Sequence, residues 1–227
     1  EWEYPEGNYG NVILTRIVGG AGPDVIWIGG AFSQMADLFA PLDDMRSRAG
    51  GPLREVMPQV FPLFTWAGQV GAAPYGANTV PFFLNQRLFA EAGLQIPSPN
   101  WTWSEFIELI KRLTVDMDGD GQPDRWGFDF RSGGFRETAL SWGGPPFTPD
   151  ARKVAFNNPI TVGATQILAD LASNRYGPYQ LPAGRGDYAA VARSGDVAIM
   201  AGGVWAVPAL RQLPEDEWEA IIFPAFE

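Results

Sequence analysis

The sequence contains neither cysteine nor histidine. Without Cys it has no disulfide and no thiolate chemistry, and cysteine usage leaves its compartment undecided. Without His, a Ser-His-Asp hydrolytic centre and a His-ligated zinc are both excluded. Basic residues are scarce: 16 Lys and Arg stand against 26 Asp and Glu, a formal net charge of −10. A nucleic-acid surface needs clustered cations against phosphates, so no nucleic-acid partner is expected. No apolar run reaches the roughly eighteen residues of a membrane-spanning helix, so no membrane insertion of this chain is expected. Glu1 is not followed by a charged and then an apolar segment, so a signal peptide is expected to be missing from these residues. No Walker or dinucleotide-binding glycine pattern occurs either.

Aromatic residues, by contrast, are plentiful: nine Trp, six Tyr and fifteen Phe. Most such rings fill a core, because burial drives their placement. A minority suits sugars, whose flat C–H faces stack on aromatic rings while their hydroxyls seek planar amides and carboxylates.

Along the chain, helical and strand signals alternate, as in an α/β lobe. "NVILTRIV" (11–18) has helical spacing and is stopped by Gly19-Gly20. Val25–Ile28 is continuously apolar between Pro-Asp and Gly-Gly, the pattern of a strand buried on both faces. Residues 33–39 read as a short helix. Strands turn at Ala67-Gly68 and lead into an apolar stretch over 71–84. A helix follows from Asn85 to Gly93, its C′ residue. "TWSEFIELIKRLT" predicts a helix with a capping box, Thr102 and Glu105, and an apolar stripe of Trp103, Phe106, Ile107, Ile110 and Leu113. Trp103 therefore reads as structural. "RWGFDF" alternates as a strand. Asn158 and Pro159 start a further helix, 197–200 is a buried strand, and "WEAIIFPAFE" is a last strand.

"DMDGDGQPD" aligns Asp116, Asp118, Asp120 and Asp124, with the carbonyl of Gln122, on the oxygen positions of a calcium loop, and Gly121 sits at its sharp turn. These oxygen-only ligands suit Ca²⁺. Position twelve is Gly127, so the bidentate carboxylate is missing, and a strand follows instead of a helix. The alternative is a turn of solvated carboxylates. Asp43-Asp44 and the Glu215–Glu217 cluster sit in polar, turn-like contexts and read as surface.

"GGAGPDVIWIGG", "APLDD", "YGANTVPFFLNQRLFAEAGL", "TWSEF", "DMDGDGQPDRWGF", "VAFNNP" and "ARSGDVAIMAGGVWAVPAL" follow one another in this order. The order resembles that of family 1 extracellular solute-binding proteins, the sugar-capturing components of bacterial ABC importers, over essentially the whole chain. The resemblance implies a two-lobed α/β fold of the periplasmic-binding type II kind, incomplete at both ends. Residues 1–83 would supply part of the first lobe and a hinge strand, 84–220 the second lobe, and 221–227 a strand returning to the first. It implies a carbohydrate held between the lobes, a membrane permease as partner, an extracytoplasmic location, and no catalytic residues or required cofactor. In the family the strand matching 71–84 crosses between lobes, which places Tyr75 and Asn78 near the ligand; an Asn amide can donate to and accept from vicinal hydroxyls. Trp142 with Gly144, and Gly203 with Trp205, match cleft-lining positions where glycines let the backbone approach a ligand. Phe32, after Gly29-Gly30, is a further candidate for stacking. A sugar receptor serving a sensor, or a glycosidase using two carboxylates, are the other readings of the chain.

Overall fold

The computed structural model describes residues 9–28, 32–48, 64–74, 79–129, 144, 153–177, 188–214 and 217–225. The chain divides into two compact units, Glu1–Ala77 and Asn78–Glu227.

In the first unit, helix α1 (Tyr9–Val18) ends where expected: Gly19 N donates to Thr15 O at 2.9 Å, and Gly20 takes φ 74°. α2 (Phe32–Met35) runs into a 3-10 turn, Ala36–Leu38, and α3 (Asp43–Arg48) follows. β1 (Thr65–Trp66) and β2 (Gln69–Val70) pair antiparallel. Their connection has positive φ at both Ala67 (49°) and Gly68 (82°), the geometry of a type I′ hairpin turn, whose twist matches that of the strands. Asp43 Oδ2 accepts from Val70 N at 3.0 Å and ties α3 to this hairpin.

One expectation for this unit fails. Among the described residues, Val25–Ile28 pairs with no strand, and Val25 is 87% exposed. The run has the composition of a doubly buried strand, but composition cannot create one, since a strand exists only by pairing.

The second unit is built on a four-stranded sheet in the order β4 (Trp126–Asp129), β5 (Val197–Ala201), β3 (Phe82–Asn85), β6 (Trp218–Ile221). β4 and β5 are parallel; β3 is antiparallel to both β5 and β6. Leu84, Ile199 and Phe128 are fully buried, as befits a sheet covered on both faces. Helices α4 (Gln86–Glu91), α5 (Trp103–Leu113), α6 (Pro159–Ser173), α7 (Tyr188–Ser194) and α8 (Val207–Leu210) accompany it.

Local chemistry fixes these helix ends. Asn85 ends β3 and caps α4: its Oδ1 accepts from Leu88 N at 3.1 Å while Nδ2 donates to Glu217 at 3.3 Å. Gly93 (φ 65°) closes that helix as a left-handed C′ residue. The capping box on α5 is complete, Glu105 N to Thr102 Oγ1 at 3.2 Å and Thr102 N to Glu105 Oε2 at 2.7 Å. Thr102→Ala removes one of these acceptors at an exposed site. It should cost about 1 kcal/mol, read as a lower urea midpoint with an unchanged slope.

The core is aromatic. Phe82 lies within 5.9 Å of Trp101, Phe106, Phe128 and Phe223, centroid to centroid, in edge-on, stacked and tilted arrangements. Trp103 is buried in the same cluster, as its helical stripe predicts. Residues 221–225 pack within the second unit. Ala225 N donates to Trp101 O and Ala225 O accepts from Trp103 N, while the Trp101 indole donates to Ile222 O. These bonds anchor the segment beside α5.

Candidate functional site

The parallel strands β4 and β5 both end at the same end of the sheet, the end from which β3 departs. Open α/β sheets present ligand-binding loops at the carboxyl ends of such strands. Ala201 leads there into Gly202 and Gly203, both buried, and then into the 3-10 turn Val204–Ala206. Gly202 N donates to Pro81 O at 3.2 Å, which seals the loop to the start of β3.

Gly203 is glycine for a visible reason. A Cβ there would stand 2.3–2.7 Å from three atoms of the Trp205 ring. The indole therefore lies against bare backbone, and Trp205 is nevertheless 50% exposed. A large apolar ring, seated on one side and open on the other at the end of a sheet, is a platform for a flat apolar face.

Gly144 is buried. Tyr75, Asn78 and Trp142 lie outside the described residues. Phe32 is not available for stacking: it is 4% exposed, its ring lies parallel to Phe39 at 5.7 Å and edge-on to Phe64 at 5.5 Å, and Gly71 makes room for its tip. It is a packing residue of the first unit, and Gly29-Gly30 beside it was a misleading cue.

The acidic loop satisfies itself. Asp116 accepts from Gly119 N (2.7 Å) and Gly121 N (2.9 Å), Asp118 from Asp120 N, Asp120 from Gln122 N, and Asp124 from Met117 N. One oxygen each of Asp116, Asp118 and Asp120 lie within 4.8 Å of one another, all exposed, and Arg175 Nη1 donates to the Gln122 side chain. Position twelve is closed to any side chain, because a Cβ at Gly127 would fall 2.2 Å from Ile110 O. The loop thus offers a cation three convergent carboxylates without the bidentate partner.

The amides of Gly121 and Gly119 hold the Asp116 carboxyl below the ordinary carboxylate range. A depressed acid adds order above its unfolded pKa and loses it as pH falls through the folded one. Protection of the Gly119 and Gly121 amides against exchange, taken relative to the intrinsic rate at each pH, should therefore fall as pH drops below the ordinary carboxylate range, and Asp116→Asn should flatten that dependence. The other acidic clusters are structural where described. Glu217 accepts from Asn85 and faces Arg87 at 3.7 Å, and Arg87 with Arg125 lowers the Glu91 carboxyl.

Sequence reasoning passed over Asp129. This carboxylate ends β4 and is 2% exposed, although "GFDF" gave no sign beyond one charge in an apolar strand.

Comparison with known proteins supplies the context. A family model for bacterial extracellular solute-binding proteins matches residues 2–225. The chain belongs to that family. Among curated protein sequences none matches it. Solved solute-binding proteins match in structure. One, from Thermotoga lettingae and bound with α-D-tagatose, has TM-score 0.76 and 21% identity, covering 96% of this chain and 58% of its own. The GacH receptor of Streptomyces glaucescens, determined unliganded and with acarbose, has TM-score 0.76 and 20% identity, covering 99% and 58%. The cyclic α-maltosyl-1,6-maltose binding protein of Arthrobacter globiformis has TM-score 0.69 and 25% identity, covering 95% and 56%. The likeness shows the fold, the mixed α/β fold of two-lobed binding proteins expected from the sequence. This chain spans under three fifths of the length of those relatives.

Proposed function

We propose that this chain is a carbohydrate-binding protein of an ABC importer, acting outside the cytoplasm and handing its sugar to a membrane permease without chemical change. The observation that carries the reading is Trp205, half open on the bare backbone of Gly203 at the carboxyl end of the sheet. An indole so exposed loses contact with water favourably only when a ligand covers it, and the C–H face of a sugar ring does so while its hydroxyls stay hydrogen-bonded. The sugars in the solved relatives support the class and leave the particular sugar open. Tyr75, Asn78, Trp142 and Gly144 are offered as further ligand contacts on the family resemblance. Binding would act by selecting a conformation, since a ligand shifts an equilibrium only through differential affinity.

A thermal-shift screen of the chain against mono-, di- and oligosaccharides tests this, run with calcium and with chelator. One sugar class should raise the melting temperature by several degrees with no product formed. A cooperative melt that no sugar moves would refute the reading. The chelator arm tests the acidic loop separately: a calcium-dependent melt assigns it a cation, and an indifferent one leaves it a self-bonded turn.

A further inference from the structure

The sequence holds no Asn-Gly dipeptide and two Asp-Gly dipeptides, Asp118-Gly119 and Asp120-Gly121. Such pairs are chemically unstable, because a glycine has no Cβ to hinder attack of its nitrogen on the preceding carboxyl. In that reaction the nitrogen forms a bond to the aspartate Cγ. Its proton departs with one carboxyl oxygen as water, the second proton coming from solvent, and a five-membered succinimide results. Water then opens the ring at either carbonyl. One opening restores aspartate. The other breaks the original peptide bond and leaves isoaspartate, with the backbone running through Cβ and Cγ. No co-reactant other than water is needed.

Both dipeptides lie open to this chemistry. Asp118, Gly119, Asp120 and Gly121 are exposed. The glycines take positive φ, 78° and 84°, and a Cβ on either would meet nothing within 4 Å, so no neighbouring segment covers them. What restrains them is Asp116. Its Oδ1 accepts from Gly119 N at 2.7 Å and its Oδ2 from Gly121 N at 2.9 Å. One carboxylate thus occupies both nitrogens that would attack, and an amide proton held by a carboxylate is hard to remove. The carboxyls that would be attacked are engaged as well. Asp118 Oδ1 accepts from Asp120 N at 3.1 Å, and Asp120 Oδ1 from Gln122 N at 2.7 Å.

We propose that Asp118 and Asp120 are sites of isoaspartate formation and that Asp116 holds both in check by occupying the glycine nitrogens. The loop ages only when it opens, and Asp116 sets how often that happens. The sugar-binding reading has no part in this, and neither dipeptide has to hold an ion.

The test is the rate of isoaspartate formation at each position in the folded protein, incubated at neutral pH with chelator. Trypsin then releases residues 113–125, whose isomers are separated and assigned by electron-transfer fragmentation. The same peptide incubated free gives the unrestrained rate. The folded parent should be at least about tenfold slower than the free peptide at both positions, since charge-assisted hydrogen bonds resist the opening. Folded Asp116→Ala should recover most of that difference. Thr102→Ala, which weakens the fold at a distance, should stay within about twofold of the parent, because local opening governs the rate. A parent as fast as the peptide overturns the proposal, and so does an Asp116→Ala protein as slow as the parent. Equal acceleration in Thr102→Ala overturns it too, since global unfolding would then set the rate. Should Asp116→Ala not fold, Asp116→Asn, which keeps a single acceptor oxygen, gives the same comparison and should speed at least one of the two positions.

Discussion

Phe82→Ala should destabilise the second unit by roughly 3–5 kcal/mol, the largest effect of any single truncation proposed for this chain. Phe82 is 1% exposed and is the ring on which the others converge. It meets Trp101 and Phe128 edge-on, Phe106 nearly parallel at 5.3 Å and Phe223 at 4.1 Å. Removing it deletes the transfer energy of a whole aromatic side chain and leaves a void walled by four rigid rings, each anchored in a different segment. Such walls relax little, so the cavity contribution persists. The loss is a large part of the about 5–15 kcal/mol that holds a typical domain folded. Urea unfolding followed by tryptophan fluorescence measures it. A loss under about 1 kcal/mol would mean that the rings close over the gap and that the cluster is not the keystone described above. Phe82→Leu keeps most of the volume and should cost less than half as much.

Trp205→Ala should weaken sugar binding by roughly thirtyfold or more while barely moving the melting temperature of the ligand-free protein. The two halves of this expectation have separate origins. The indole is half exposed, so its removal opens no closed cavity and costs little of the burial that stabilises the fold. Aromatic anchors carry much of the affinity of a site, and truncating one commonly costs about 2 kcal/mol or more, roughly thirtyfold in Kd. Isothermal titration with the sugar found in the screen measures the first half, and a ligand-free melt the second. Gly203→Ala offers a control that leaves the ring in place. The new Cβ would meet the indole 2.3 Å away, at the outer edge of its six-membered ring, so the ring must swing off its seat. Affinity should fall with the fold intact. If Trp205→Ala binds as tightly as the parent, the ligand stacks elsewhere and the site must be sought around other residues.

Local signals in the sequence were reliable where the deciding chemistry is local. Thr102 with Glu105, Asn158 with Pro159, and Gly93 each fix a helix end through atoms within a few residues, and each stands where the pattern puts it. The stripe of α5 found the core face for the same reason. Val25–Ile28 shows the opposite case. Its apolar run carries no information about whether a partner strand is present, and pairing decides. Phe32 and Trp205 were both aromatic residues beside glycines, with nothing in the sequence to tell them apart. Three-dimensional packing separates them, since Phe39 and Phe64 cover one ring while the other stays half exposed beside the backbone of Gly203. Asp129 escaped notice because a single charge in a short apolar stretch does not show that the strand will bury it.

The order of strands in the sheet has a kinetic consequence. β3 lies between β5 and β6, and its contacts reach far along the chain; Asn85 and Glu217, which bond across that junction, are 132 residues apart. Loop closure over such a span must be met before any of its contacts repays it. A ribosome must therefore release every residue through β6 before this sheet can assemble, and until β6 emerges Phe82 and its neighbours have no finished wall to settle against. Until then the segment from β3 to β6 stays threadable through a narrow pore, and it is correspondingly exposed to holdase chaperones over the same interval.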